Sequence, residues 1–285
     1  MVPGRIALDG NRPGLYQRSP MSGYDYPQIP VGFYDQVMRT GNPIRRLWHL
    51  SKFERVLEYL PKSPQGSLLD VGCFAGTFLS LIPEARFRRQ LGVDILGSQV
   101  EYARARHGTS FREFRHIRSI ERLQDLTEQF DCVTLIEVIE HLAPDEVRGL
   151  FSQVSRLLAP GGRLVITTPN YASSWPVLEA LLERFSDVKY EEQHVTKFTY
   201  FDVQRKLRSL YPAFESEFDV ELKTTSHLLT PFLARLSFRA AHSLSRLVPH
   251  RYWRFPFGNL VLLVARRLGD VASTSARVAV GGTRA

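Results

Sequence analysis

The sequence predicts an α/β fold in which a mostly parallel sheet carries helices on both faces. Short apolar runs typical of buried strands alternate with longer stretches of helical periodicity, an order that favours parallel strands joined by helices. The first strand leads into a turn between Asp70 and Gly76 that contains two glycines. Because glycine has no Cβ, a ligand can approach the backbone N–H groups of such a turn. We therefore expect a ligand site where this strand ends.

The predicted elements follow in a regular order. A helix over residues 44–60 ends at Pro61, and an inserted amphipathic helix is predicted over residues 173–185. Further helices are predicted over residues 77–82 and 98–107 and from Pro144 onward. The predicted strands cover residues 67–71, 90–94, 112–117, 130–136, 163–168, 218–225 and 260–265.

The chain of 285 residues can bury a full core, and 44% of them are hydrophobic. We expect a flexible arm over residues 1–30, one domain over 31–269 with an insertion at about 226–258, and a disordered tail over 270–285. There is no secretory h-region and no apolar run of about 18 residues. Cys73 and Cys132 fall in or beside strands, which favours buried free thiols and a cytoplasmic protein.

The spacing of the first turn favours one kind of cofactor. Asp70 precedes the first glycine in the pattern D-x-G-x-x-x-G, whereas a dinucleotide turn reads G-x-G-x-x-G. The pattern resembles motif I of the class I S-adenosylmethionine (SAM) methyltransferases, with Phe74 in place of the usual middle glycine. Asp94 ends the second strand, 22 residues after Gly72, where an acid can accept hydrogen bonds from ribose hydroxyls. A strand, turn and helix without a ligand is the alternative.

Four further blocks strengthen this resemblance. The sequences F-D-x-V, E-V-I-E-H, L-x-P-G-G and T-T-P-N follow one another between Phe130 and Asn170. In this order they resemble the ubiquinone-pathway O-methyltransferases and their bacterial relatives, over about residues 45–225. The resemblance implies a Rossmann-like sheet of seven strands with the last antiparallel, and SAM as cofactor. The implied cofactor-binding residues are Asp70, Gly72, Phe74, Gly76, Asp94, Ile95, Ser119, Ile120 and Glu137. Ser119 replaces the usual acid after the third strand, with Glu121 as the alternative.

Two histidines are candidate bases for removing the proton of a hydroxyl acceptor. His141 follows the fourth strand, and His194 lies in an H-x-x-x-F-T stretch that faces the acceptor in similar proteins. The alternative for His141 is a structural hydrogen bond to a loop. Some relatives are thought to hold Mg²⁺ with the equivalents of Glu137, Glu140 and His141. We favour instead that Glu137 touches the cofactor and Glu140 caps the next helix.

Several other side chains are candidates for the pocket wall, although packing is the favoured interpretation for all of them. They are Tyr34, Arg46, Trp48, His49, Trp175, Leu178, Leu181 and Leu182.

The net charge of +8 resides in one span. Residues 222–269 contain eight Lys and Arg and no acid, and the rest of the chain is balanced. A helix over residues 232–248 would place Arg235, Arg239, His242 and Arg246 opposite Leu233, Leu236, Ala240, Leu244 and Leu247. Such a helix could lie on an anionic membrane surface, although a lid packed on the domain is favoured slightly. Nucleic-acid binding ranks last.

These observations predict a SAM-dependent O-methyltransferase, either cytoplasmic or peripheral at the inner face of the membrane. The acceptor is a small molecule or glycan: a sugar hydroxyl in a glycan or glycolipid is favoured over a phenolic or quinone precursor. The alternative is a methyltransferase-like protein that binds a partner without catalysis, suggested by Phe74 and by the missing acid after the third strand.

Overall fold

The computed structural model describes residues 29–176, 194–228, 230–247 and 255–269. The predicted tail, nearly all of the predicted arm and most of the predicted helix over residues 173–185 lie outside these ranges. That helix includes the candidate wall residues Leu178, Leu181 and Leu182, so their predicted role stays a prediction.

The fold is a seven-stranded sheet with the strand order β3-β2-β1-β4-β5-β7-β6. Strands β1 to β5 run parallel, and β7 is antiparallel to both of its neighbours. The strands are β1 Ser63–Val71, β2 Phe87–Asp94, β3 Arg112–His116, β4 Phe130–Ile136, β5 Leu158–Pro169, β6 Phe218–Ser226 and β7 Leu260–Arg267. The predicted sheet and its reversed last strand are confirmed.

Helices and short 3₁₀ turns connect the strands. The helices are α1 Phe33–Thr40, α2 Pro43–Tyr59, α3 Thr77–Ser80, α4 Gly97–His107, α5 Pro144–Leu157, α6 Val203–Leu210, α7 Phe214–Glu217, α8 Thr230–Leu233 and α9 Phe238–Leu247. Short 3₁₀ turns cover Glu84–Arg86, Ile120–Asp125 and Ile139–His141. Among the described residues, no helix has both the length and the apolar character that crossing a bilayer requires.

Apolar residues on both faces of the central strands form the core. Leu69 and Leu91 are fully buried, as are Val133 and Leu135 of β4. Strands covered by helices on both sides read as continuous apolar runs, which is why the centre of the sheet is visible in the sequence. Cys73 and Cys132 are buried and free, as predicted.

Strands β1 and β2 begin a few residues earlier than the sequence predicted. β1 begins at Ser63 and β2 at Phe87, several residues before the apolar runs begin. These first residues are largely polar, and a register shift separates Ser63 from Ser67 in the pairing with β2. Periodicity gives a weak signal for such extensions because Phe87 is their one large core side chain.

The predicted helix over residues 232–248 is wrong in two respects. Two shorter helices, α8 and α9, replace it, with a break over residues 234–237. The buried side also differs, because Ala234, Ala241 and Ser245 are buried, whereas the predicted leucine face and the arginines are exposed. Small side chains allow the insertion to lie close against α2, and this packing decides its orientation.

Candidate active site

A cavity of about 240 Å³ opens at the carboxyl ends of β1, β2 and β4. Open α/β sheets bind ligands at this edge, where neighbouring strands diverge to helices on opposite faces. Helix α2 contributes Trp48, His49, Lys52 and Phe53 to the wall. Of the predicted site residues, the cavity is lined by Asp70, Gly72, Phe74, Asp94, Ile95, Ile120, Glu137, His141 and His194.

The turn after β1 is held in a strained conformation. Gly72 has a φ of 79°, and a Cβ there would lie 2.5 Å from Val138. Phe74 also has a positive φ, 47°, which is rare for a bulky residue. Its backbone N–H donates to Asp94 Oδ2 at 2.7 Å, and its ring lies 4.8 Å from the Tyr34 ring between centroids. Phe74 therefore forms part of the wall and leaves the cavity open.

Two carboxylates meet at the strand ends, as predicted. Asp70 Oδ1 accepts a hydrogen bond from the Thr134 hydroxyl at 2.6 Å, and Asp94 Oδ1 accepts one from the Leu96 N–H at 2.8 Å. Burial raises the pKa of Asp70 to about 7, and the negative charge of Asp94 adds to this rise. The hydrogen bond from Thr134 lowers the pKa and offsets part of the rise. Burial also raises the pKa of Asp94, although its backbone hydrogen bonds oppose this. A cationic cofactor would favour the ionised form of both groups.

Two predicted cofactor residues do not line the cavity. Gly76 has a φ of 74° at the start of α3, and a Cβ there would lie 2.6 Å from the Phe114 ring, so its role is structural. Ser119 precedes the 3₁₀ turn over residues 120–125, outside the wall. A hydrogen bond from Ser119 lowers the pKa of Glu121, and Glu121 does not line the cavity either. At this position only Ile120 reaches the wall.

A buried ion pair between Lys52 and Glu137 joins α2 to the turn after β4. Both residues line the cavity, and Glu137 has a φ of 53°. Burial would raise the pKa of Glu137, but the Lys52 ammonium lowers it below the usual value. Lys52 is not among the site residues predicted from the sequence. The sequence feature that could have identified it is the position of a lysine on the inward face of α2. Its neighbours on that face are buried in the wall or core: Trp48, His49, Phe53 and Val56.

Both candidate bases lie at the cavity wall. The His141 and His194 rings are 5.0 Å apart between centroids, and His194 Nδ1 lies 2.6 Å from the Tyr171 hydroxyl oxygen. The backbone N–H of Thr196 donates to the Glu140 carbonyl at 2.9 Å, which fixes the loop that carries His194. Tyr171, missed in the sequence, directly follows the T-T-P-N block.

Glu140 does not cap the next helix, contrary to the prediction. Glu146 fills that role, because its carboxylate accepts the Ala143 N–H at 2.8 Å. The Glu140 side chain is fully buried in the cavity wall, and no described donor makes a hydrogen bond to either carboxylate oxygen. Burial raises its pKa to about 8, while the charge of His194 and the nearby Thr168 hydroxyl oppose this.

The Mg²⁺ set suggested by some relatives, which the sequence did not favour, is not assembled. Glu137 is paired with Lys52, whereas Glu140, His141 and His194 offer ligand atoms within 4.8 Å of one another. One carboxylate and two imidazoles do not suit Mg²⁺, which prefers oxygen ligands. His194 Nδ1 is also engaged with Tyr171. These residues therefore do not fit Mg²⁺.

Aromatic and polar side chains complete the wall near His194. The Trp48 and Trp175 rings lie 4.9 Å apart, and Trp175 is 6.3 Å from the His194 ring. His49 Nδ1 and Trp175 Nε1 are buried, and neither has a hydrogen-bond partner among the described residues. Burial lowers the pKa of His49 well below its usual value, and the charge of Lys52 adds to this. Arg46 faces away, with its guanidinium carbon 4.6 Å above the Phe238 ring.

Curated proteins similar to this chain include a ubiquinone biosynthesis O-methyltransferase and a nodulation protein. A ubiquinone biosynthesis O-methyltransferase from Bradyrhizobium sp. (strain ORS 278) is 34% identical over 122 residues, or 42% of this chain and 46% of that protein. Nodulation protein S from Rhizobium tropici is 29% identical over 127 residues, or 44% of this chain and 51% of that protein. The chain thus spans about half the length of these curated relatives.

Solved structures share the fold at low sequence identity. The PH0226 protein from Pyrococcus horikoshii OT3 has a TM-score of 0.55 at 18% identity, with 86% of this chain and 100% of that chain covered. The N-methyltransferase NodS from Bradyrhizobium japonicum WM9, in complex with S-adenosyl-L-homocysteine, has a TM-score of 0.50 at 17% identity. That comparison covers 81% of this chain and 90% of the other.

A family model described as a methyltransferase domain matches residues 45–215, which include the helix over the cavity, the turn after β1 and the loop of His194. The chain therefore belongs to the methyltransferase domain family.

Proposed function

We propose that the protein transfers the methyl group of SAM to a hydroxyl oxygen, with a sugar hydroxyl of a glycan or glycolipid as the favoured acceptor. A phenolic or quinone precursor is the second choice. The observation that carries this proposal is the pair of histidines at the cavity wall, His141 and His194, with His194 Nδ1 at 2.6 Å from the hydroxyl oxygen of Tyr171 behind it. A hydroxyl must lose its proton during methylation, and a positioned imidazole supplies the base.

Methyl transfer is an in-line displacement. The acceptor oxygen forms a bond to the methyl carbon while the carbon–sulfur bond breaks, and S-adenosylhomocysteine leaves as a neutral thioether. The acceptor proton passes to an imidazole nitrogen. His194 can accept it at Nε2 when Nδ1–H donates to Tyr171, because that tautomer leaves Nε2 unprotonated. The buried Glu140 lies beside this imidazole, and an imidazolium at His194 would oppose the rise that burial causes in the pKa of Glu140.

The wall near His194 supports a polar ring as acceptor. The indole rings of Trp48 and Trp175 offer apolar faces, while His49 Nδ1 and Trp175 Nε1 are buried without a partner among the described residues. Buried polar atoms of this kind are costly unless a ligand satisfies them. A sugar ring presents both C–H faces and hydroxyl groups, so it matches this combination.

The names of the similar proteins leave the acceptor atom open. One is called a ubiquinone biosynthesis O-methyltransferase, and a solved structure is called an N-methyltransferase. N-methylation is therefore the second candidate. An amine acceptor with a free lone pair needs no base in the methyl-transfer step, so the requirement for histidine separates the two reactions.

The test measures transfer of a labelled methyl group to a panel of sugars, phenols and amines. We expect His194→Ala or His141→Ala to reduce turnover on the hydroxyl acceptor by about 10²–10⁴-fold, with little change in SAM affinity by calorimetry. Tyr171→Phe should reduce turnover less, by about tenfold, because it disturbs only the orientation of His194. His242→Ala, outside the cavity, is the control and should retain wild-type activity. Full activity in both histidine variants, or methylation of amines alone, would contradict the proposal.

A further inference from the structure

The insertion between β6 and β7 exposes its leucines and buries its small residues. Leu236, in the break before α9, is 85% exposed, and on α9 Leu247 is 76% exposed and Leu244 is exposed as well. Ala241 and Ser245 occupy the buried side. A helix that packs only on its own domain has the opposite arrangement. Exposed leucines on one helical face indicate a surface that meets an apolar environment.

Arginines flank these leucines. Arg235, Arg239 and Arg246 are exposed, and none of them makes an ion pair within the described part of the chain. No Asp or Glu occurs anywhere between residues 222 and 269. We call Leu236, Leu244, Leu247, Arg239 and Arg246 the Leu-Arg surface. Its composition combines an apolar face with positive charge and contains no compensating acid.

Contacts with α2 fix the orientation of this surface. The Ser245 hydroxyl lies 3.3 Å from that of Ser51, Arg55 donates to the Ser245 carbonyl, and His242 Nε2 lies 2.9 Å from the Glu54 carboxylate. Leu47 packs with Ala234 and Ala241. These contacts hold the leucines outward. The same helix α2 lines the cavity with Trp48, so the surface and the cavity lie on two sides of one helix.

We propose that the Leu-Arg surface docks the protein on an anionic lipid bilayer, with α9 lying in the plane of the interface. Leucines enter the boundary of the acyl chains, while the arginines meet anionic headgroups. This proposal does not depend on the identity of the methyl acceptor. It places the cavity close to the bilayer, where a lipid-linked acceptor would be accessible.

Charge favours a bilayer over a second copy of the chain. A symmetric dimer through this surface would bring the arginines of one copy to those of the other, with no acid in residues 222–269 to separate them. A nucleic acid would satisfy the arginines but would leave the exposed leucines in water. An anionic bilayer matches both features.

The test is flotation of the full chain with vesicles of phosphatidylcholine alone or mixed with phosphatidylglycerol. We expect association only with the anionic vesicles and release at about 1 M salt, where charges are screened within a few ångströms. The double variant Arg239→Glu and Arg246→Glu should weaken association by roughly 25-fold or more, since each basic residue contributes about fivefold. Leu236→Ser with Leu247→Ser should weaken it by a similar factor.

Matched controls lie at the opposite edge of the sheet. Arg88→Glu and Leu268→Ser also replace exposed side chains and should leave vesicle association unchanged. Circular dichroism and SAM affinity should be unchanged in all variants, because every replaced residue is exposed and outside the cavity. Absence of anionic-vesicle binding would overturn the proposal. So would equal loss in the controls, or a dimer in solution that the leucine variants convert to monomer. Salt-sensitive RNA binding without vesicle association would reassign the surface.

Discussion

The two ends of the cavity satisfy their polar groups in different ways. At the end that we assign to the cofactor, Asp70 and Asp94 receive hydrogen bonds from the Thr134 hydroxyl and from backbone N–H groups. At the end that we assign to the acceptor, Glu140 and Trp175 Nε1 are buried without partners among the described residues. The cofactor end is therefore organised before its ligand binds, whereas the acceptor end has polar atoms that await one.

The largest effect is expected where the two ends share a buried charge pair. Lys52→Met leaves the Glu137 carboxylate buried without its cation and should lower the free energy of unfolding by about 3–5 kcal/mol in urea titrations. The double replacement Lys52→Met and Glu137→Gln removes both charges and should recover most of that loss. If the free energy of unfolding of Lys52→Met stays within about 1 kcal/mol of wild type, the pair contributes no more than a surface ion pair.

The next largest effect is expected at the cofactor end, where a single carboxylate can be removed. Asp94→Ala removes the carboxylate expected to accept both ribose hydroxyls, and charged hydrogen bonds of this kind contribute about 1.5–3 kcal/mol each. We expect SAM affinity by calorimetry to fall by at least about 100-fold. Glu121→Ala removes a neighbouring acid outside the cavity and should leave affinity nearly unchanged. Equal affinities for wild type and the Asp94 variant would remove this residue from the site.

The smallest effect concerns the acceptor end and depends on pH. The pKa of Glu140 is raised by burial to about 8, so the folded protein holds a proton that the unfolded chain releases near its ordinary pKa. Stability from this group is present at low pH and declines as pH rises through 8. Glu140→Gln removes this dependence. In urea titrations without ligand, the free energy of unfolding of Glu140→Gln relative to that of wild type should rise by about 2 kcal/mol between pH 6 and pH 8. Parallel pH profiles would contradict the raised pKa.

The cofactor end could be predicted because its determinants are local. Gly72 and Phe74 follow directly from β1, and Asp94 ends the next strand along the chain, so spacing alone brings them to one edge. The same reasoning misassigned Ser119 and Gly76. Both residues lie outside the cavity wall, which Ile120 reaches from the position next to Ser119.

The acceptor end could not be predicted to the same extent because distant segments form it. Lys52 comes from α2 and Tyr171 from the residues after β5, and neither belongs to a motif with fixed spacing. The different buried side of α9 has a related cause. Periodicity indicated an arginine face and a leucine face, but the buried side is a third one that carries Ala241 and Ser245, fixed by the contacts of Ser245 with Ser51 and Arg55.

The reversed last strand has a consequence for variation between proteins of this kind. Ser226 at the end of β6 is paired with Leu260 at the start of β7, so the insertion leaves and re-enters the sheet at neighbouring positions. Closing a loop between fixed ends costs little more as the loop lengthens. The insertion can therefore be shortened, extended or exchanged without disturbing strand register. The surface that the insertion presents can thus diverge between such proteins while the cavity at the carboxyl ends of the strands stays constant.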